Sequence, residues 1–542
     1  MKIDINSIGY RWKGVYSPYT AYSERDVVFK QGGAYVQRSG VMVPFALGQL
    51  DVVTPGAILT GGDEKFGIYG TVLHSNGAAT VDFRFMGERN GTVATGLMEG
   101  IDSGSWGMAA NQYQAIMNSG IVRAWGSNDS GRNGLGSSDG NIYKPSTVPF
   151  PVGTPPIKKI KAGWISTYYI DASGGLWVTG INNDNQQGTN TNNRIPIKLN
   201  GYGALPLNAK VTKIVTSYDY YANRSIGCLT EDGRVYVWGA NNYGQLGLGN
   251  TTSQATPVLL PLSVTLPMKD LYFSAGTYGV GGFITTAGQL YACGHDRSGH
   301  GYTTSIPTLL APWDDGATVK LFKCSESDNH AVVDPQYMHR QLAVLDNGEL
   351  WIWGADSGQV TDGQTDNNNV PKRVLTGVKD AWSWSGGYSR CIALMQDGTV
   401  KAVGTESYRI NGNVSGSNTT AWTTIGNSYL TNVTKILAIG GTYGTTALAL
   451  RSNGTAVGWG AGAQGSHGNG RVDENNLPDT FVMLNSNIID IGMSGYCSGG
   501  DYILTTYFLT SDGSVYASGS GSQYVNGLFE NNSVSIPKKI IF

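Results

Sequence analysis

Six histidines, five cysteines and 39 acidic side chains are the groups of this 542-residue chain that could do acid–base, nucleophilic or metal chemistry. Their spacing argues against each in turn. His74, His295, His300, His330, His339 and His467 form no HExxH pair and no structural-zinc pattern. His295 and His300, five apart in GHDRSGHG, read as loop polarity rather than as a metal site. Asp362 and Asp366 in TDGQTDNNN lack the ligand spacing of a calcium loop. Cys228, Cys293, Cys324, Cys391 and Cys497 are odd in number and without a CxxC pair, so they read as reduced fillers of strand positions. GxGxxG-like strings are plentiful, but none stands between a strand and a helix. No catalytic residue, metal or cofactor is expected, and the chain reads as a non-enzyme.

What remains is aromatic. Before seven of eight repeated segments, a strand-like run ends in Gly or Ser and an aromatic follows within two residues: Trp106, Trp164, Tyr218, Tyr278, Tyr388, Tyr443 and Tyr496. Indole and phenol faces stack on sugar rings or on a protein partner, and the competing use is packing inside the fold. Trp164 is the leading ligand candidate, because WISTYY adds Tyr168 and Tyr169. The fifth segment has Glu326 to Asn329 instead and inserts VVDPQYMHRQ.

The elements that must position these residues follow from composition. With 77 glycines, 14 % charged residues and 40 % hydrophobic residues, the chain has too much glycine for helical bundles and enough apolar surface to pack a core. Net charge is −2, and no basic cluster in the sequence resembles a nucleic-acid footprint. The start lacks an apolar signal core and no apolar run reaches 18 residues, so a soluble chain without an ordinary signal peptide is expected. A phrase of apolar residues, a polar pair, Gly, a β-rich run and a second Gly six residues on recurs eight times. Its turn glycines are Gly120, Gly174, Gly233, Gly288, Gly348, Gly398, Gly454 and Gly513. Glycine between two β-rich runs marks a hairpin, because it enters positive φ without Cβ strain. Three copies add glycines five, eight and ten residues after the second Gly, as in Gly244, Gly247 and Gly249, and a proline usually follows. Four short strands per repeat, arranged in a ring, predict an all-β propeller over 97–542.

LTEDGRVYVWGANNYGQLGLGN resembles the regulator of chromosome condensation repeat, whose hallmark is DGxVYxWGxNxxGQLGxG. The copies around Trp125, Trp353 and Trp459 keep the WG dipeptide, whereas those with TG, CG, VG or SG depart from it. The resemblance implies a propeller usually of seven blades; eight complete phrases favour eight. The terminal SIPKKIIF is expected to pair with early strands and close the ring.

Residues 1–96 lack the phrase and form a separate β-rich module. Trp12, Tyr16, Tyr22, the DVV at 26–28, a GG turn and Tyr35 resemble small chitin-binding-type carbohydrate modules, a pattern also found in phage tail proteins. The combination implies a bacteriophage tail protein of fibre, spike or baseplate type, assembled in the host cytoplasm and working in the virion. Its N-terminal module would dock to the particle and its propeller would face the host. Expected partners are other tail proteins and a host-surface polysaccharide or receptor, with several copies per particle, no nucleic acid and no membrane insertion. The alternatives are an intracellular scaffold or small-GTPase exchange factor, and a secreted inhibitor or adhesin.

Overall fold

The computed structural model describes residues 112–542 apart from short segments, the longest being 325–339 and 355–367, and of residues 1–111 the backbone of nine strands. The chain divides into two compact units, 1–93 and 94–542.

In the second unit every hairpin glycine takes the conformation its position demands, with φ between 76° and 84° from Gly120 to Gly513. In the clearest copy Gly233 N–H donates to Thr230 O, and Thr230 N–H donates to Arg234 O. Asp232 is absent from the positive-φ residues, so this is a three-residue loop closed by a left-handed glycine, not a two-residue mirror-image turn. The paired strands are the middle two of a four-stranded sheet. In blade three the order is Val211–Thr216, Ser225–Thr230, Val235–Gly239 and Gln254–Leu259, each antiparallel to the next.

Eight sheets, seven of them four-stranded, follow one another along this unit, so it is an eight-bladed propeller. Blade one runs from Ala94–Leu97 to Asn141–Thr147 and blade two from Ile157–Ala162 to Asn193–Lys198. Blade four spans Met268–Phe273 to Thr304–Leu310, blade five Val319–Cys324 to Asn368–Leu375, and blade six Val378–Trp384 to Thr419–Ile425. Blade seven begins at Val433–Gly440 and has three strands plus a single bridge from Val457 to Phe481. Blade eight runs from Ile488–Ser498 to Val534–Lys539. Pro145, Pro196, Pro257, Pro307, Pro371 and Pro537 all fall in fourth strands. Their missing N–H is tolerated there because the fourth strand is the sheet edge.

Blades are stitched together by the same glycines. The carbonyl of each turn glycine from Gly120 to Gly454 accepts the N–H of the first residue of the next blade's first strand, as Gly233 O does from Met268 at 2.8 Å. Cβ atoms have no room there: one on Gly233 would stand 2.8 Å from Pro267 Cβ.

Two expectations are corrected. SIPKKIIF does not pair with early strands; Val534–Lys539 pairs antiparallel with Val515–Gly519 of its own blade. Blade one needs no loan, because Ala94–Leu97 already supplies its first strand. Closure is by side chains: Tyr113 of blade one stacks on Tyr507 of blade eight, ring centroids 3.6 Å apart, within an apolar cluster that continues to Ile157 and Tyr169 of blade two. Likewise, Arg340 and Gln341, read as the end of the fifth segment's insertion, are the buried first residues of a second strand.

In the first unit, Arg11–Val15, Asp26–Lys30, Gly33–Arg38 and Val41–Pro44 form one sheet in that order. In another sheet, Tyr69–Ser75 and Ala78–Arg84 pair across Asn76-Gly77, with Ser75 opposite Ala78.

Candidate functional site

Six of the seven ring aromatics, Trp106, Trp164, Tyr218, Tyr278, Tyr388 and Tyr443, lie outside the described residues, as do Tyr16 and Tyr22. Tyr496 is in strand backbone, opposite Ile503, rather than in a loop. Trp12 and Tyr35 stand in strands opposite Val27 and Val28. Tyr168 and Tyr169 are corrected: both are buried in the second strand of blade two, whose two faces are covered by neighbouring blades, and offer no ligand surface. The Tyr168 hydroxyl donates to Gln186 O at 2.5 Å, and burial pushes its ionisation far above the usual phenol range. Asp362 and Asp366 also lie outside the described residues.

His300 Nε2 lies 3.2 Å from Thr308 O on its blade's fourth strand, and His295 Nδ1 contacts Asp296. Burial lowers both pKa values and takes that of fully buried His467 down to about 3, so this ring is neutral at physiological pH. Cys228, Cys293 and Cys391 are buried free thiols, and burial pushes Cys228 and Cys391 up to about 12. Among the described residues no three His, Cys, Asp or Glu side chains gather as a metal site, and no helix is long and apolar enough to cross a membrane.

What the structure does bring together is a set of contacts between blades, and they come in two alternating kinds. At the position before the second glycine, blades one, three, five and seven carry Trp125, Trp238, Trp353 and Trp459, all fully buried. The Trp238 indole donates to Gln186 O of blade two at 2.8 Å, and Trp459 to Ile410 O of blade six at 2.9 Å. Loop glycines floor these pockets: a Cβ on Gly188, Gly299 or Gly527 would stand 3.1, 3.1 or 2.9 Å from the facing indole nitrogen. Blades two, four, six and eight carry Thr179, Cys293, Val403 and Ser518 instead. The Cys293 thiol donates backward to Gln245 O, and the Thr179 and Ser518 hydroxyls lie 3.3 and 3.4 Å from the loop carbonyls of Gly131 and Ser466. Ion pairs obey the same parity. Lys213–Asp270, Lys323–Asp380 and Lys435–Asp490, each 2.6 Å, run from an odd blade to the following even one. A ring with two alternating seams closes only with an even number of blades, which is why eight phrases give eight blades rather than seven.

The regulator of chromosome condensation (RCC1) repeat model matches residues 232–279, from the third strand of blade three through the first strand of blade four. The fold is an RCC-type β-propeller. The human E3 ubiquitin-protein ligase HERC2 is 24 % identical over 264 residues, covering 47 % of this chain and 5 % of that protein. The X-linked retinitis pigmentosa GTPase regulator homolog of Caenorhabditis elegans is 26 % identical over 341 residues, covering 55 % of this chain and 23 % of that protein. The match thus spans under a quarter of either relative's length. Among solved structures, Prp20p from Saccharomyces cerevisiae aligns with a TM-score of 0.48 at 20 % identity, over 69 % of this chain and 89 % of that one.

The alternation was missed by sequence reasoning although its signal is present. The copies with TG, CG, VG and SG are every second one, and they are the other half of a two-blade unit rather than weakened versions of one motif.

Proposed function

We propose that this chain is a non-enzymatic structural protein of a bacteriophage tail, whose N-terminal unit docks to the particle and whose propeller recognises the host surface or a protein partner. The observation that carries the reading is the division of the chain into two units. The propeller completes its own ring, while the strands that bear Trp12, the DVV segment and Tyr35 form a sheet in the N-terminal unit, where the resemblance to tail modules lies. Fold alone does not assign function. Immuno-electron microscopy of purified particles tests the proposal: antibody to the propeller is expected to decorate tails, and unlabelled virions would refute it. Deleting residues 1–93 is expected to leave a soluble propeller that no longer enters particles. For the ligand, Trp164→Ala is expected to weaken host-surface binding with an unchanged melting temperature; destabilisation with intact binding would make Trp164 a packing residue.

A second reading, regulation of a small GTPase, is favoured by the similarity to the C. elegans GTPase regulator homolog. It predicts accelerated nucleotide release from some member of a GTPase panel.

A further inference from the structure

The seams that lead from an even blade to an odd one carry the tryptophans. Between blades two and three Trp238 donates to Gln186 O, two residues before the loop glycine Gly188, and between blades six and seven Trp459 donates to Ile410 O, two residues before Gly412. Trp353 takes the same place between blades four and five, against Gly299, yet its indole N–H has no acceptor among the described residues. The facing loop is the cause. Gly188 and Gly412 stand eight residues after the second glycines of their blades, Gly180 and Gly404, whereas Gly299 stands five after Gly294. The shorter loop closes as a 3-10 turn over Asp296–Ser298, with Ser298 N–H donating to His295 O, and it reaches Gly299 at a φ of 105° rather than 69°. The indole itself has not moved: a Cβ on Gly188 or on Gly299 would stand 3.1 Å from the facing indole nitrogen. What has changed is where the loop puts its carbonyls.

Two more buried groups belong to the same place. Gln341 lies directly opposite Trp353 in the antiparallel pair of blade five, so the two side chains share the face turned to blade four. In other blades the residue at the Gln341 position reaches back to the preceding blade's loop: Thr167, opposite Thr179, donates to Arg132 O at 2.8 Å, and Thr506, opposite Ser518, donates to Ser466 O. Gln341 makes no such bond. It is fully buried, and neither its Oε1 nor its Nε2 has a partner among the described residues. Ser298 precedes Gly299 in the turn that packs on the strands of Gln341 and Trp353, and its fully buried hydroxyl is also without a partner among the described residues. A buried polar group left without a hydrogen bond bears its full desolvation cost. Several of them gathered at one seam, with donors and acceptors both present, are what an internal water satisfies.

We propose that the seam between blades four and five is a binding site for one buried water molecule, which accepts from Trp353 Nε1–H and donates to Gln341 Oε1 and Ser298 Oγ. The water stands in for the carbonyl that the longer loops supply, so the tryptophan latch is kept at a longer reach. Water fits the donor set because it both accepts and donates. A halide would take donors alone, would turn the Gln341 amide oxygen away, and would bring a charge that is costly to bury. The site does not depend on the tail role and stands if the protein works elsewhere.

The test is a crystal structure of the full chain at a resolution that shows ordered water, paired with oxygen-17 magnetic relaxation dispersion in solution, which counts long-lived internal waters. The expected result is a density peak about 2.7–3.2 Å from Trp353 Nε1, the Gln341 amide and Ser298 Oγ. The double variant Gln341→Leu, Ser298→Ala, which removes the polar partners at similar volume, is expected to show one long-lived water fewer than the wild type. Thr167→Val, which breaks a direct bond to a loop carbonyl, is expected to leave the count unchanged. Should the double variant fail to fold, the density in the wild type still decides. No peak at this position, with Trp353 or Gln341 bonded directly to a carbonyl of the 295–299 loop, overturns the proposal, and so does an equal loss of water in the two variants. Anomalous scattering at the peak in a bromide-soaked crystal also overturns it, because the site would then hold a halide.

Discussion

The indole N–H of Trp238 reaches across a blade boundary to the carbonyl of Gln186, 2.8 Å away, over the glycine floor made by Gly188. Cys293, at the same position one blade later, makes only a 3.4 Å contact to Gln245 O. Trp238→Ala is therefore expected to cost about 3–5 kcal/mol and Cys293→Ala about 1 kcal/mol. Urea unfolding measures both, and equal losses would show that the two seams do not differ in energy.

Turn glycines separate strain from crowding. Gly233 and Gly249 have φ of 79° and 76°, but a Cβ on Gly233 meets Pro267 whereas one on Gly249 meets nothing within 4 Å. Gly249→Ala is expected to cost about 1 kcal/mol from strain alone, and Gly233→Ala about 3 kcal/mol, because it also pushes two blades apart. Comparable shifts in melting temperature would assign the whole effect to φ.

Stability should depend on pH through His467. Its pKa falls from 6.5 to about 3 in the folded chain, mainly by burial. The unfolded chain takes up the proton first, so this contribution is complete above about pH 6.5 and is lost as pH falls toward 3, at about 1.4 kcal/mol per unit. His467→Asn should flatten that part of the stability profile; an unchanged slope would mean that other groups set it.

Ring closure rests on Tyr113 and Tyr507, both fully buried. Tyr507→Ala is expected to cost about 3–5 kcal/mol. Amide exchange should quicken first in blades one and eight, and uniform quickening around the ring would show that this seam is no different from the others.

Hairpins and blade count were legible because positive φ at a fixed place leaves little choice but glycine, and Gly120 through Gly513 mark each turn. Ala94–Leu97 was not legible: four residues before the first phrase carry no periodic signal, so the closing strand was sought at the wrong end of the chain. Tyr168 and Tyr169 were misread because a middle strand of a blade has no open face, which a local window cannot show.

Each blade is built from one uninterrupted stretch of chain, and the last meets the first through stacked rings rather than a shared strand. Where the polypeptide begins and ends is therefore mechanically incidental to the ring. The propeller should tolerate circular permutation, with a linker joining Ile541 to Ala94 and new ends opened between any two blades. A propeller fastened by strand exchange could not be reopened in this way without splitting a sheet.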